Sequence, residues 1–170
     1  MKNEKHLNFY QNAPDMELQD TLGQPVQLSS LWQEHPLLLA FTRHFGCTQC
    51  KEMLDELVEG KEKIAQAGLA LAVITQGTPE AANLFAEEFA PGLLLLADPE
   101  RKAYEAYGLE RGNLFQTFLN PKVWTAISRS RKKGYQVEPA PAGQDAMQMS
   151  GTFIITKDGR IALPYYYDHI

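Results

Sequence analysis

Three apolar runs of strand length, separated by segments with helical periodicity, restrict this chain more than any other feature. They are "PLLLAFT" (Pro36 to Thr42), "LALAVIT" (Leu69 to Thr75) and "GLLLLAD" (Gly92 to Asp98). A strand without polar alternation has both sheet faces covered, and strands separated by helices pair in parallel through right-handed crossovers. Between the first two runs, Met53, Leu54, Leu57, Val58, Ile64 and Ala65 fall near helical spacing from Thr48 onward, with Gly68 as the stop. Between the second and third, "TPEAANLFAEEF" opens with a Thr cap and Pro at the first helical position, with Leu84, Phe85 and Phe89 assigned to one face.

The flanking segments read as additions to that core. "NAPDMELQDTLGQPVQLSSLW" predicts two short strands around the turn at Asp20 to Pro25, then a short helix capped by Ser29 or Ser30. A short helix through Tyr104 and Tyr107 stops at Gly108, and Leu114 to Lys133 has helical spacing with a break or kink at Pro121. Arg129, Arg131, Lys132 and Lys133 close that helix; a solvated, dipole-compatible end is the plainer reading and a phosphate site the sharper one. "QVEPAPAGQDAM" predicts a surface loop near or over the site, and "GTFIITKDGRIALPYYYDHI" a hairpin turning at Lys157 to Arg160. Internal repeats and low-complexity tracts are lacking.

With 170 residues, 44% of them hydrophobic, one domain spanning 1–170 can bury a core without help. A net charge of −5 repels nucleic acid and anionic membranes, and no stretch approaches the roughly 20 apolar residues that span a bilayer. The expectation is a cytoplasmic protein with neither nucleic-acid nor membrane partners.

Two cysteines are too few for a disulfide-stapled scaffold, yet Cys47 and Cys50 lie two residues apart where the first apolar run gives way to a helix. Unpaired N–H groups and the helix dipole at such a corner lower a thiol pKa. Arg43, His44 and Lys51 add positive charge, while Glu52 and Asp55 oppose it. The spacing brings the sulfurs within bonding reach, giving a nucleophile and a resolving partner. Zinc needs four ligands in a closed site, and only two thiolates and His44 are evident. Two inert buried side chains are the plain alternative, which spacing alone does not remove.

Taken together, these segments resemble the thioredoxin-fold peroxiredoxins of the alkyl hydroperoxide reductase and thiol-specific antioxidant (AhpC/TSA) superfamily, in particular the peroxiredoxin-like branch carrying Cys-x-x-Cys. "NAPDMELQDTLGQPVQLSSLW" is similar to the family's opening hairpin, "PLLLAFTRHFGCTQC" to its active-site strand and corner, "LADPERKAYEAYGL" to its following helix and "SGTFIITKDGRI" to its closing hairpin. The resemblance implies an α/β thioredoxin-like fold, a central mixed sheet flanked by helices, with an N-terminal hairpin extension and a C-terminal β-hairpin.

It also implies peroxide or disulfide reduction through Cys47 and Cys50 with no metal or organic cofactor, and a thioredoxin-like or low-molecular-weight thiol as reductant. It admits a homodimer. Arg43, Thr42, Gly151 and Thr152 are the substrate-binding residues it implies, Arg43 replacing the arginine that typical members hold near the thiolate. The usual Pro and Thr, seven and three residues before the peroxidatic Cys, are absent in either register: Ala40 and His44 precede Cys47, Arg43 and Cys47 precede Cys50. Thioredoxin logic makes Cys47 the attacking thiol and peroxiredoxin register makes it Cys50; the reading here favours Cys47. A thiol-disulfide reductase, a lipid endoperoxide reductase with a pocket built from Leu114 to Trp124 and Tyr165 to Tyr167, and a non-catalytic redox-switched binding module are the alternatives. His169 stays outside the expected site.

Overall fold

The computed structural model describes residues 5–113 and 121–167. In chain order the elements are β1 (Glu17–Asp20), β2 (Pro25–Gln27), a 3-10 helix (Leu28–Trp32), β3 (Leu37–Phe41), α1 (Thr48–Gln66), β4 (Ala70–Thr75), α2 (Pro79–Phe89), β5 (Leu94–Ala97), α3 (Lys102–Ala106), α4 (Pro121–Lys132), β6 (Gly151–Ile155) and β7 (Ile161–Tyr166). The seven strands form one mixed sheet in the order β2-β1-β5-β4-β3-β6-β7. The three apolar runs pair in parallel as β5-β4-β3, and both hairpins attach antiparallel, β1 to β5 and β6 to β3. This is the thioredoxin-like arrangement that the sequence resemblance implies.

Alternation along the buried strands feeds two cores. Leu37, Leu39 and Phe41 of β3 join Ala72, Ile74, Leu96, Tyr104, Tyr107 and Phe153 in one cluster. The intervening Ala40, Val73 and Leu95 pack with Leu54 of α1 and Phe85 of α2 in the other. Among the described residues no helix is long and apolar enough to cross a membrane.

Local expectations fail where a long-range partner intervenes. Ser29 and Ser30 lie inside the 3-10 helix rather than capping it; the Ser29 N–H donates to the carboxylate of Asp15, 2.8 Å away. Leu84 does not share the buried face of Phe85 but is 68% exposed. Of the break or kink expected at Pro121, the structure has a helix start: Pro121 opens α4, a position where its missing N–H costs nothing. Leu114, Phe115, Phe118 and Leu119 lie outside the described residues, as does His169. Thr78 caps α2 as expected, accepting from the Ala81 N–H.

The strand ends that carry the site are tied down from α3. Buried Asp98 accepts from the N–H groups of Lys102 (3.0 Å) and Ala103 (2.8 Å), and buried Tyr104 donates its hydroxyl to the carbonyls of Thr42 (2.9 Å) and Ile74 (3.1 Å). Replacing Asp98 by Ala leaves those amides without an acceptor and should lower the unfolding free energy by about 1–3 kcal/mol. Urea denaturation measures this, and an unshifted midpoint would mean that packing alone holds α3.

Candidate active site

Phe41 ends β3, and the segment Thr42 to Gly46 carries the chain over the carboxyl edge of the parallel strands into α1. Cys47 is the extended residue just before α1, its N–H bonded to the His44 carbonyl at 3.0 Å, and Cys50 lies in the first turn. Both thiols are free and 4% exposed, and both border a cavity of about 590 Å³ open to solvent. Phe41, Met53, Ala126, Tyr165 and Tyr167 give that cavity apolar walls; Arg43, Gln49, Glu52 and Arg129 are polar members of its lining.

Arg43 is the residue around which the pair is set. Its backbone N–H donates to Cys50 Sγ at 3.1 Å, and its guanidinium reaches Cys47 Sγ at 3.8 Å. The other guanidinium nitrogens donate to the carbonyls of Gln148 (Nε, 2.9 Å) and Ala146. At 4% exposure this is a buried cation, not a solvated surface arginine.

The two sulfurs are unequal. Cys47 is pulled down to about 6, first by the hydrogen bond from the Cys50 thiol, against the opposing effect of burial, and then by the Arg43 charge and the Cys50 N–H. Cys50 is pushed well above the ordinary thiol range, chiefly by burial and then by Cys47 itself. Near neutral pH the pair therefore holds one negative charge, on Cys47, with the remaining proton on Cys50.

The other charges expected here are disposed differently. Burial and the Arg43 charge lower His44 to about 4, so its ring is neutral at pH 7. Lys51 turns to Glu138 and lies over the Phe89 ring at 4.6 Å. Glu52 is neutralised by Lys133 and Arg129 and accepts from the Ser130 hydroxyl at 2.6 Å, while Asp55 accepts from Tyr135. The cationic end of α4 is a solvated face, Arg129, Arg131, Lys132 and Lys133 all being exposed, and from it Arg129 and Lys133 also pair with Glu52 of α1.

The loop after α4 covers the site as expected. The Glu138 N–H donates to the Gly46 carbonyl at 3.2 Å, and a Cβ at Gly46 would collide with the carbonyl oxygens of Glu138 and Pro139. Gln76, at the end of β4, accepts from the Asp145 N–H at 2.8 Å and donates to the Arg43 carbonyl. Gln76, Gln148 and Gln49 carried no signal in the sequence beyond polarity beside apolar strands or the Cys pair.

Of the other expected binding residues, Thr42 is buried with its hydroxyl on the Ile74 carbonyl at 3.4 Å. Gly151 and Thr152 pair with Phe41 and Ala40 across β3-β6. None of the three is in the cavity lining; Ser150, one residue earlier, is. Tyr165 and Tyr167 line the cavity with Pro121, Thr125 and Ala126, while Trp124 is 61% exposed. Among the described residues no group of three or more His, Cys, Asp or Glu side chains is placed to hold a metal.

Comparison with known proteins bears on the family and the fold. A family described as "AhpC/TSA antioxidant enzyme" matches residues 56–169, a stretch that begins after Cys50. The chain is 33% identical over 117 residues to "Thioredoxin-like protein AAED1, chloroplastic" of Arabidopsis thaliana, covering 69% of this chain and 46% of that one. It is 27% identical over 156 residues to "Prostamide/prostaglandin F synthase" of Salmo salar, covering 88% and 74%. The crystal structure of peroxidoxin BcpB from Mycobacterium tuberculosis shares the fold, with a TM-score of 0.64 at 22% identity, covering 92% of this chain and 83% of that one. The chain therefore spans about half the length of the plant relative.

Arg43→Met removes the guanidinium and should raise the Cys47 midpoint by about 1 unit or more. Thiolate absorbance against pH measures it, and an unchanged midpoint would show that the Cys50 hydrogen bond acts alone.

Proposed function

The chain belongs to the AhpC/TSA antioxidant enzyme family, and from that premise we propose that it reduces peroxides through a Cys47-Cys50 dithiol/disulfide cycle. The observation that carries this reading is the asymmetry of the pair, one sulfur ionised beside a buried arginine and the other protonated against it.

In the first step the Cys47 thiolate attacks one peroxide oxygen; the S–O bond forms as the O–O bond breaks. The leaving alkoxide or hydroxide takes a proton from solvent, leaving Cys47 as the sulfenic acid. Cys50 then attacks that sulfur, giving the disulfide and one water formed from the sulfenic hydroxyl and the Cys50 proton. Peroxide gains two electrons and the thiols lose two. Two reducing equivalents from a thioredoxin-like protein or a small thiol restore the pair.

The half-apolar cavity supports organic peroxides as the preferred substrates: Phe41, Met53, Tyr165 and Tyr167 offer an alkyl or ring substituent surface that hydrogen peroxide leaves empty. A lipid endoperoxide falls within the same class, which is the direction the Salmo salar relative's name suggests.

Treatment of single variants with one equivalent of cumene hydroperoxide tests the assignment. Cys50→Ser should accumulate a sulfenic acid at Cys47, seen by mass spectrometry after trapping, and Cys47→Ser should react at least a hundredfold more slowly. Sulfenic acid found only in Cys47→Ser would reverse the roles. Absence of repeated turnover in wild-type protein supplied with a thioredoxin system would instead leave a redox-switched binding module.

A further inference from the structure

Gln49 is the second residue of α1 and lines the cavity beside Cys47. Its side-chain carbonyl Oε1 accepts twice, from Cys47 Sγ at 3.5 Å and from the Thr48 hydroxyl at 3.1 Å. Its amide nitrogen Nε2 is buried and has no hydrogen-bond partner among the described residues. A buried amide with two unmade donor bonds is costly, and this one is next to the reacting sulfur.

That arrangement suits a protonated Cys47 only. Once the sulfur ionises it has no proton to donate, and a carbonyl oxygen facing a thiolate is repulsive. Rotation of the planar amide by half a turn exchanges Oε1 for Nε2 with almost no change of shape. Both hydrogens of Nε2 then have acceptors, the thiolate and the Thr48 hydroxyl oxygen, since a hydroxyl accepts as readily as it donates.

We propose that Gln49 acts on the reacting sulfur as a reversible hydrogen-bond partner, its side-chain carbonyl accepting from the Cys47 thiol and its amide donating to the Cys47 thiolate after rotation. The half-turn ends the cost of two idle donor hydrogens and gives the thiolate a charge-assisted donor, against one carbonyl oxygen left idle in their place, so Gln49 favours ionisation. This rests on Cys47 being the ionising sulfur, and it extends that reading by naming a neutral residue that shares the work of Arg43.

The sign of one titration decides it. In Cys50→Ser protein, where one thiol remains, Gln49→Leu and Gln49→Met should each raise the thiolate midpoint by roughly one unit, a tenfold shift in the ionisation equilibrium. Were Gln49 an acceptor for the thiol and nothing more, removing it would lower the midpoint, and a lowered or unchanged value in both variants overturns the proposal. The parent Cys50→Ser protein separates this from the wider reading. Iodoacetamide alkylation at each pH follows the same thiol: a parent that ionises only above pH 8 overturns both, and one that ionises well below pH 8 leaves the Gln49 variants to judge Gln49 alone.

Discussion

Everything at the site depends on one buried cation. Desolvating a guanidinium is expensive unless its charge is met, and among the described residues no carboxylate forms an ion pair with Arg43. Its compensation comes from the carbonyls of Gln148 and Ala146 and from the Cys47 sulfur. The thiolate is therefore part of what makes a buried Arg43 tolerable, and Arg43 is part of what makes the thiolate stable. The same residue fixes the second sulfur through its backbone, so the two cysteines are held by one residue at two different atoms.

The surrounding charges are arranged so that this pairing is not contested. Glu52 and Asp55, both on α1, would raise the cost of a thiolate if left free. Each is instead engaged from the last turn of α4 and the residues just after it, by Arg129, Ser130 and Lys133 in one case and by Tyr135 in the other. The same contacts seat α4 against α1, so neutralising the carboxylates and building one wall of the cavity are a single structural event. Gly46 allows the covering loop to approach where any side chain would hold it off.

Much of this was legible in the sequence where it rests on local rules. The three apolar runs gave the parallel strands, Thr78 and Pro79 gave the start of α2, and the strand-to-helix corner put Cys47 and Cys50 at the start of α1. What was not legible depends on partners far along the chain. Lys51 looks like a neighbour of Cys47 until Glu138 takes it, 87 residues later. The cations that close α4 are solvated as they look, but no local rule shows that Glu52, 81 residues earlier than Lys133, pairs with two of them. Gln76 and Gln148 are ordinary polar residues until Asp145 and Arg43 are brought beside them. Charge counted by sequence distance fails here because the fold, not the chain order, decides which charges face the sulfur.

The inequality of the two thiols also supplies an order for the proposed cycle. Cys50 is kept protonated first by burial and then by Cys47, through the hydrogen bond to its sulfur and its negative charge. Oxidation of Cys47 to the sulfenic acid removes that second cause, while the Arg43 N–H that favours a Cys50 thiolate stays in place. The resolving sulfur thus becomes easier to ionise at the moment its target turns electrophilic, and the Arg43 charge, no longer engaged by a Cys47 thiolate, is free to stabilise it. A dithiol in which both sulfurs ionised together would lose this order, because two like charges at this separation oppose each other before any peroxide arrives. Placing the pair in one helical turn with a single buried cation is a way of making the second step wait for the first.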